Sequence, residues 1–332
     1  MNTLATWIHH LDPVLLNIPG TPLAVRWYGL AYVGGFILGY LLLLWLSRRK
    51  LYCIRPDKLG DFITAICIFG VLIGGRLGEF FFYWLPENGW SGFCNDPLWV
   101  FRVWEGGMTS HGGIIAVLLV SIWYTSRHKL SLPAVCDGLA IACPIGLFFG
   151  RIANFINGEL YGRPAPDSSL AMKFPLEFTS LPPESQIQAY ASMEHAAGAP
   201  LSSLSQNGET LFDTILRLTR ESPAVRDALS PYLTPRYPSQ LFEALGEGLL
   251  LFLVLIALRL GWKNAPTGIF SALFCFLYAI ARISTECFRE PDVDTWHGIT
   301  RGQYLSFGVV ALGFLFLIPA LRQLKTQKNR SI

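Results

Sequence analysis

Seven runs of about 20 predominantly apolar residues recur along this chain, and that recurrence limits the fold more than any other feature does. Such a run, wound as a helix, crosses the hydrocarbon core of a bilayer, which is about 30 Å thick. Lipid offers no hydrogen-bond partners to the backbone, so each run must satisfy its own N–H and C=O groups, and a helix does so. The runs lie near 27–46, 62–84, 110–126, 134–153, 240–258, 267–288 and 303–321. Only 15% of residues are charged, against about a quarter in soluble domains. An ordinary soluble fold is excluded. The expectation is an all-α integral membrane protein with seven transmembrane helices.

The net charge of +3 says little, and no nucleic-acid partner is implied. The placement of the charges says more. Arg48, Arg49, Lys50, Arg55 and Lys58 follow the first run, Arg127 and Lys129 the third, and Arg259 and Lys263 the fifth. Arg322, Lys325, Lys328 and Arg330 follow the seventh. The alternate connections carry Arg102, Arg289 and Arg301, so the balance is thirteen against three. Cytoplasmic loops are the ones enriched in Lys and Arg. The N-terminus is therefore expected outside and the C-terminus in the cytoplasm, which an odd number of spans permits.

No Lys or Arg precedes a short apolar core at the N-terminus, so no cleavable signal peptide is expected. Leu4, Trp7, Ile8 and Leu11 suit either an amphipathic turn on the outer leaflet or a simple lead. The seven cysteines are scattered without any C-x-x-C, which argues for small apolar fillers and against a zinc site or a disulfide framework. Residues 160–238, between the fourth and fifth runs, are expected as a small extracytoplasmic head. Its 181–209 stretch is rich in Ser, Pro, Gln and Ala and suits a solvated surface or a loose loop, whereas Leu211, Phe212, Ile215, Leu216 and Leu218 mark one short amphipathic helix.

Ionisable residues within spans cost several kcal/mol unless paired or hydrated, so each is a candidate for function. Those near the outer span ends are Arg76 and Glu79, Asp137, Arg151 and Glu159, Glu243 and Glu247, and Arg282 and Glu286. Arg282 and Glu286 stand four apart on one helical face and are expected to pair. Glycines flank many of these charges. Gly74 and Gly78 have the small-xxx-small spacing of closely packed spans.

The stretch Gly150 to Arg163 is the richest. Arg151 and Asn154 share a helical face, and Asn157, Gly158 and Glu159 follow where the chain leaves the helix. An arginine fork at the membrane surface suits an anionic headgroup, since it can hold two phosphate oxygens at once. That arrangement points to a protein that binds or transforms a phospholipid. His111 opens the third run; it is either an interfacial hydrogen-bonding residue or a general base, its ordinary pKa being near neutrality.

These stretches together resemble the prolipoprotein diacylglyceryl transferase family. The matching segments, in the family's order, are RWYGL (26–30), GGRLGEFFFY (74–83), VWEGGMTSHGG (103–113), GRIANFINGELYGRP (150–164), YPSQLFEALGEG (237–248), YAIARISTECFREPD (278–292) and GQYLSF (302–307). The resemblance implies transfer of the diacylglyceryl group of phosphatidylglycerol to the lipobox cysteine of a bacterial prolipoprotein, forming a thioether. It implies no metal or organic cofactor, a monomer, and a site on the outer side of the bacterial inner membrane.

By the same resemblance, Arg151 holds phosphatidylglycerol, and Arg282, with Tyr278 one turn earlier, is a second essential arginine. His111 matches the histidine proposed to activate the thiol, with an arginine-centred network as the alternative. Asn154, Glu159 and Gly162 match residues expected to orient the headgroup and shape the loop. Tyr28, Gly112, Asp137, Glu243, Glu286 and Arg289 match supporting positions around the substrate. Arg26 and Tyr237 depart from the family by standing where relatives can carry histidine, and Glu79 stands where an uncharged residue is common. Two other classes use similar charges: a transporter or flippase for an anionic lipid, and a non-catalytic phospholipid-binding subunit.

Overall fold

The computed structural model describes residues 6–17, 24–102, 107–206, 208–290 and 300–330. Every apolar run is helical. In chain order the helices are α1 (Trp27–Arg48), α2 (Pro56–Asn95), α3 (Ser110–His128) and α4 (Leu132–Asn157). Then come α5 (Pro183–Ala197), α6 (Leu211–Glu221), α7 (Pro223–Leu229), α8 (Ser239–Gly261), α9 (Ile269–Glu286) and α10 (Arg301–Arg330). Six of these, α1, α2, α4, α8, α9 and α10, are long and apolar enough to cross a membrane. The third run forms the 19-residue α3, which is not among the six because His111, Arg127 and His128 at its ends lower its hydropathy. Leu41, Leu253, Ile280 and Leu315 are exposed on these helices. Large apolar side chains in such numbers mark a surface that lipid covers. The chain is a multi-pass integral membrane protein.

The fold is not wholly helical. Val14–Asn17 (β1) and Ala24–Arg26 (β2) pair antiparallel, with Val14 opposite Arg26 and Asn17 opposite Ala24. The chain forms two compact units. One comprises Met1–Gly35, Pro144–Leu251 and Leu277–Val309, the other Phe36–Cys143, Phe252–Phe276 and Val310–Ile332.

In the second unit, α2 and α3 meet along a glycine seam. Gly70, Gly74 and Gly78 recur every fourth residue and face Val117, Ala116 and Gly112. A Cβ on Gly70 would lie 2.8 Å from Val117 Cγ2, and one on Gly78 would lie 2.9 Å from Gly112 N. Backbones approach this closely only where side chains are absent. Gly112, expected beside the substrate, packs here against Gly74 and Gly78. Arg76 rises from α2 and is 3% exposed. Its guanidinium donates to the carbonyls of Trp99 (2.6 Å), Val100 (3.0 Å), Arg102 (3.0 Å) and Gly107 (3.1 Å), and lies 3.9 Å from the Trp99 ring centroid. It secures the connection that follows α2.

In the first unit, the 160–238 connection is more ordered than its composition suggests. Residues 181–209, expected as a solvated surface or a loose loop, contain α5, which starts at Pro183 and stops at Gly198 in the left-handed region (φ 71°). Ala189 and Met193 on α5 pack with Leu201, Ile215, Val225, Leu229 and Leu233 in one small core. The polar remainder of α5 faces outward, which is why composition alone concealed it. The amphipathic α6 matches its expected place. Its start is closed by a capping box in which Thr210 Oγ1 accepts from Asp213 N (3.1 Å) and Asp213 Oδ2 accepts from Thr210 N (3.2 Å).

The N-terminal segment is extended instead of forming an amphipathic turn; Leu4 lies outside the described residues. His9 N donates to Lys173 O (2.8 Å), and Lys173 N donates to Trp7 O (2.9 Å). Trp7 stacks on Phe155 of α4 at 6.2 Å.

Candidate functional site

Three elements of the first unit carry opposite charges into one buried cluster. The last turns of α4 supply Arg151. The start of α8 supplies Glu243 and Glu247, four residues apart, where the helix passes into a π-helical stretch, Ala244–Leu250. The end of α9 supplies Arg282 and Glu286, and Arg289 follows it. Glu243 is 1% exposed and Glu247 is fully buried. Charges in such places require partners, because desolvating an unpaired one costs several kcal/mol.

Glu243 has three cationic neighbours. Its Oε2 is 2.8 Å from Arg151 Nε, and its Oε1 is 3.2 Å from Arg282 Nη1 and 3.4 Å from Arg289 Nη1. Glu247 Oε1 is 3.2 Å from Arg282 Nη1 and accepts from Thr285 Oγ1 (2.9 Å). Its Oε2 is 3.6 Å from Arg151 Nη2. Arg282 Nη2 is 2.8 Å from Glu286 Oε2, the pairing expected from their spacing. Three arginines and three glutamates thus sum to zero. Arg282 is clamped by all three carboxylates and lies near Tyr278. Arg151 is held by two, and at 18% its side chain is the most open of the three arginines. A guanidinium with spare donors at the rim of a neutral cluster can accept one further anion.

The loop after α4 is built around Glu159. Asn154 Nδ2 donates to Glu159 Oε1 (2.8 Å), as does Asn157 Nδ2 (3.3 Å). Gln240 Nε2 donates to the Glu159 carbonyl (2.6 Å), and Ser239 Oγ donates to that of Leu160 (3.0 Å). The reversal uses two left-handed residues, Gly158 (φ 71°) and Leu160 (φ 57°). Gly162 then runs between neighbouring backbones. Its N donates to Tyr237 O (2.8 Å), and a Cβ there would strike the carbonyls of Phe288 and Tyr237. Tyr28, in the first turn of α1, stacks at a tilt on Tyr32 with centroids 5.2 Å apart.

Of the residues singled out from sequence, Arg151, Arg282, Glu243, Glu286 and Arg289 come together, and Asn154, Glu159 and Gly162 form the adjoining loop. His111, Gly112 and Asp137 belong to the second unit. His111 is half-buried in the first turn of α3, and among the described residues its ring has no side-chain partner. Asp137, expected among the outer charges, lies in the second turn of α4, whereas Arg151 lies near the helix's other end. Its Oδ2 accepts from Gly268 N (2.7 Å), and its Oδ1 accepts from Ser271 N and Oγ (both 2.8 Å). Those bonds close the start of α9, where free N–H groups favour a carboxylate. Asp137 is a helix cap.

Thr285 and Gln240 are not among the residues singled out from sequence, and Glu247 is there a candidate charge without a place at the substrate. For Glu247 the signal was available: it follows Glu243 by four, the spacing that paired Arg282 with Glu286. Among the described residues, no group of three His, Cys, Asp or Glu could hold a metal ion.

Residues 13–319 match the family model described as prolipoprotein diacylglyceryl transferase. A phosphatidylglycerol–prolipoprotein diacylglyceryl transferase of Bdellovibrio bacteriovorus is 38% identical, over 94% of this chain and 93% of its own. Proteins of the same name from Paramagnetospirillum magneticum and Azospirillum brasilense are 37% and 36% identical. They cover 97% and 94% of this chain, and 98% and 96% of their own lengths. With the family model spanning most of the residues and each relative aligned almost end to end, this chain belongs to the prolipoprotein diacylglyceryl transferase family.

Proposed function

We propose that this protein transfers the diacylglyceryl group of phosphatidylglycerol to the lipobox cysteine of a prolipoprotein in the bacterial inner membrane. The observation that carries the reading is Arg151: a guanidinium at the most open edge of a buried, electrically neutral Arg–Glu cluster, in a chain of this family.

The chemistry follows from the groups involved. A thiol, with an ordinary pKa of about 8.5, attacks as thiolate. Its sulfur forms a bond to the terminal glyceryl carbon of the lipid while the carbon–oxygen bond to phosphate breaks. The bonding pair leaves with the phosphate oxygen, so the departing glycerol phosphate gains one negative charge. Arg151 holds that phosphate, and Arg282, fixed by Glu243, Glu247 and Glu286, supports the same charge. Preorganised cations in a water-poor site stabilise developing charge strongly. Tyr278 orients Arg282. Asn154, Glu159 and Gly162 shape the loop against which the glycerol headgroup rests, and Tyr28 and Arg289 line its approach. His111 takes the thiol proton, or an arginine-centred network does so.

The architecture we assign is one membrane domain of seven spans, the 19-residue α3 included. The N-terminus and the 160–238 head lie outside, the C-terminus lies in the cytoplasm, and the chain acts as a monomer on the outer face.

The deciding experiment incubates purified protein with glyceryl-labelled phosphatidylglycerol and a lipobox peptide. Label appears on the peptide cysteine with wild type and is lost with Arg151→Ala. Lipid crossing liposomes without peptide, and without any labelled peptide when it is added, would instead mark a transporter and overturn the reading.

A further inference from the structure

Arg236 lies outside the charged cluster, in the segment leading from the head into α8, yet it touches three separate stretches of chain. Its Nε and Nη2 are 2.9 and 2.8 Å from Glu177 Oε1, in the head. Its Nη1 donates to the carbonyl of Gly162 (3.3 Å), in the loop after α4, and pairs with Glu290, in the segment after α9. The guanidinium lies 5.0 Å from the centroid of the Tyr161 ring. Glu177 is 3% exposed, and its Oε2 accepts from Thr234 N (3.0 Å), so the anchor on the head is itself fixed.

The backbone repeats the pattern. Arg236 and Met172 exchange N–H···O bonds of 2.8 Å in both directions. Tyr237 N donates to Arg163 O (3.1 Å), Gly162 N donates to Tyr237 O (2.8 Å), and Arg163 N donates to Phe288 O (2.9 Å). Arg163 Nε donates to Arg289 O (2.8 Å). Three strands of irregular chain, 161–164, 236–237 and 288–290, are thereby laced together. Each leads within a few residues to a charged group described above: back to Glu159, forward to Glu243, and back to Arg289.

We infer that Arg236 is a positioning residue: by joining the Gly162 carbonyl, Glu290 and Glu177, it sets where Arg289 and the Glu159 loop stand relative to Glu243. A guanidinium is required because one planar fork must reach three acceptors in different directions. A lysine offers a single point of charge. Small misplacements of groups that hold a substrate are costly, about a hundredfold in rate for roughly 1 Å.

This inference rests on the proposed transfer activity for its kinetic arm only. Wild-type protein, Arg236→Lys, Glu290→Gln and Arg289→Gln are compared in the labelled-lipid assay, together with the Arg236→Lys/Arg289→Gln double variant. The expected result is a kcat lowered about a hundredfold by Arg236→Lys and about tenfold by Glu290→Gln, with KM for phosphatidylglycerol nearly unchanged. The double variant should be no slower than the worse single, since both changes act through one group. Multiplying effects, or unchanged kcat beside a lowered Tm, would make Arg236 merely structural and overturn the inference. Hydrogen exchange supplies the arm that needs no activity. Glu290→Gln, whose side chain is 43% exposed and tolerates exchange for an amide, should raise exchange at 160–163 and 287–290 selectively. Unchanged exchange there overturns the inference even if the wild type transfers nothing, while an inert wild type with loosened loops would overturn only the proposed reaction.

Discussion

Arg151 and Glu243 meet through a single 2.8 Å contact between Nε and Oε2, on a carboxylate that is itself 1% exposed. Removing the arginine leaves Glu243 its contacts with Arg282 and Arg289. Arg151→Ala should therefore lower kcat/KM at least about a hundredfold, the scale on which one preorganised charge-stabilising donor acts, and lower Tm less than the loss of Arg282 does, since the cluster is left with one uncompensated negative charge. Arg282→Ala removes the cation shared by three glutamates, and both activity and Tm should fall. Kinetics and thermal unfolding of the same detergent-purified samples separate the two arginines.

Gly162→Ala places a methyl against the carbonyls of Phe288 and Tyr237. The backbone must part there, at a cost of about 3 kcal/mol, the upper part of the usual range for overpacking. Gly113→Ala meets nothing within 4 Å and is the control. A Gly162→Ala protein as stable and active as Gly113→Ala would contradict the backbone crossing described.

His9 gives the fold a measurable pH dependence. Burial pushes its imidazole from the ordinary 6.5 down to about 4, opposed by the bond from Nε2–H to the Phe155 carbonyl (2.7 Å) and reinforced by His10 and Arg220. Between those values the unfolded chain binds a proton and the folded chain does not. Stability is therefore full above pH 6.5 and declines as pH falls toward 4, by about 3 kcal/mol over the window. His9→Leu should flatten the plot of Tm against pH in that range, and an unchanged slope would refute the assignment.

Asp137→Ala removes the carboxylate that receives Gly268 N and Ser271 N. A lost helix cap costs about 1–2 kcal/mol. Tm should drop accordingly, while transfer per folded molecule, measured well below the new Tm, stays near wild type. A large fall in kcat without a fall in Tm would return Asp137 to the substrate site.

What could be read in advance follows the range of each interaction. Apolar runs declare helices because lipid demands them, and Arg282 with Glu286 was legible because four residues are one helical turn. The sharing of Glu243 among Arg151, Arg282 and Arg289 was not, since it joins three elements far apart in sequence. Asp137 shows a different blind spot: linear sequence reveals a charge near a span end but not the helix start it closes. The helix over Pro183–Ala197 was hidden because its inward residues, Ala189 and Met193 with Tyr190 and Ala197 beside them, are few and stand among polar neighbours.

The glycines of α2 carry a consequence for how the second unit evolves. Gly78 meets the Gly112 backbone, Gly74 meets Ala116 Cβ and the Gly112 carbonyl, and Gly70 meets Val117, so the two helices touch where neither has room for another carbon. Substitution on the lipid-facing side leaves this joint untouched, whereas a methyl at Gly74 or Gly78 has to displace the stretch of α3 beside it.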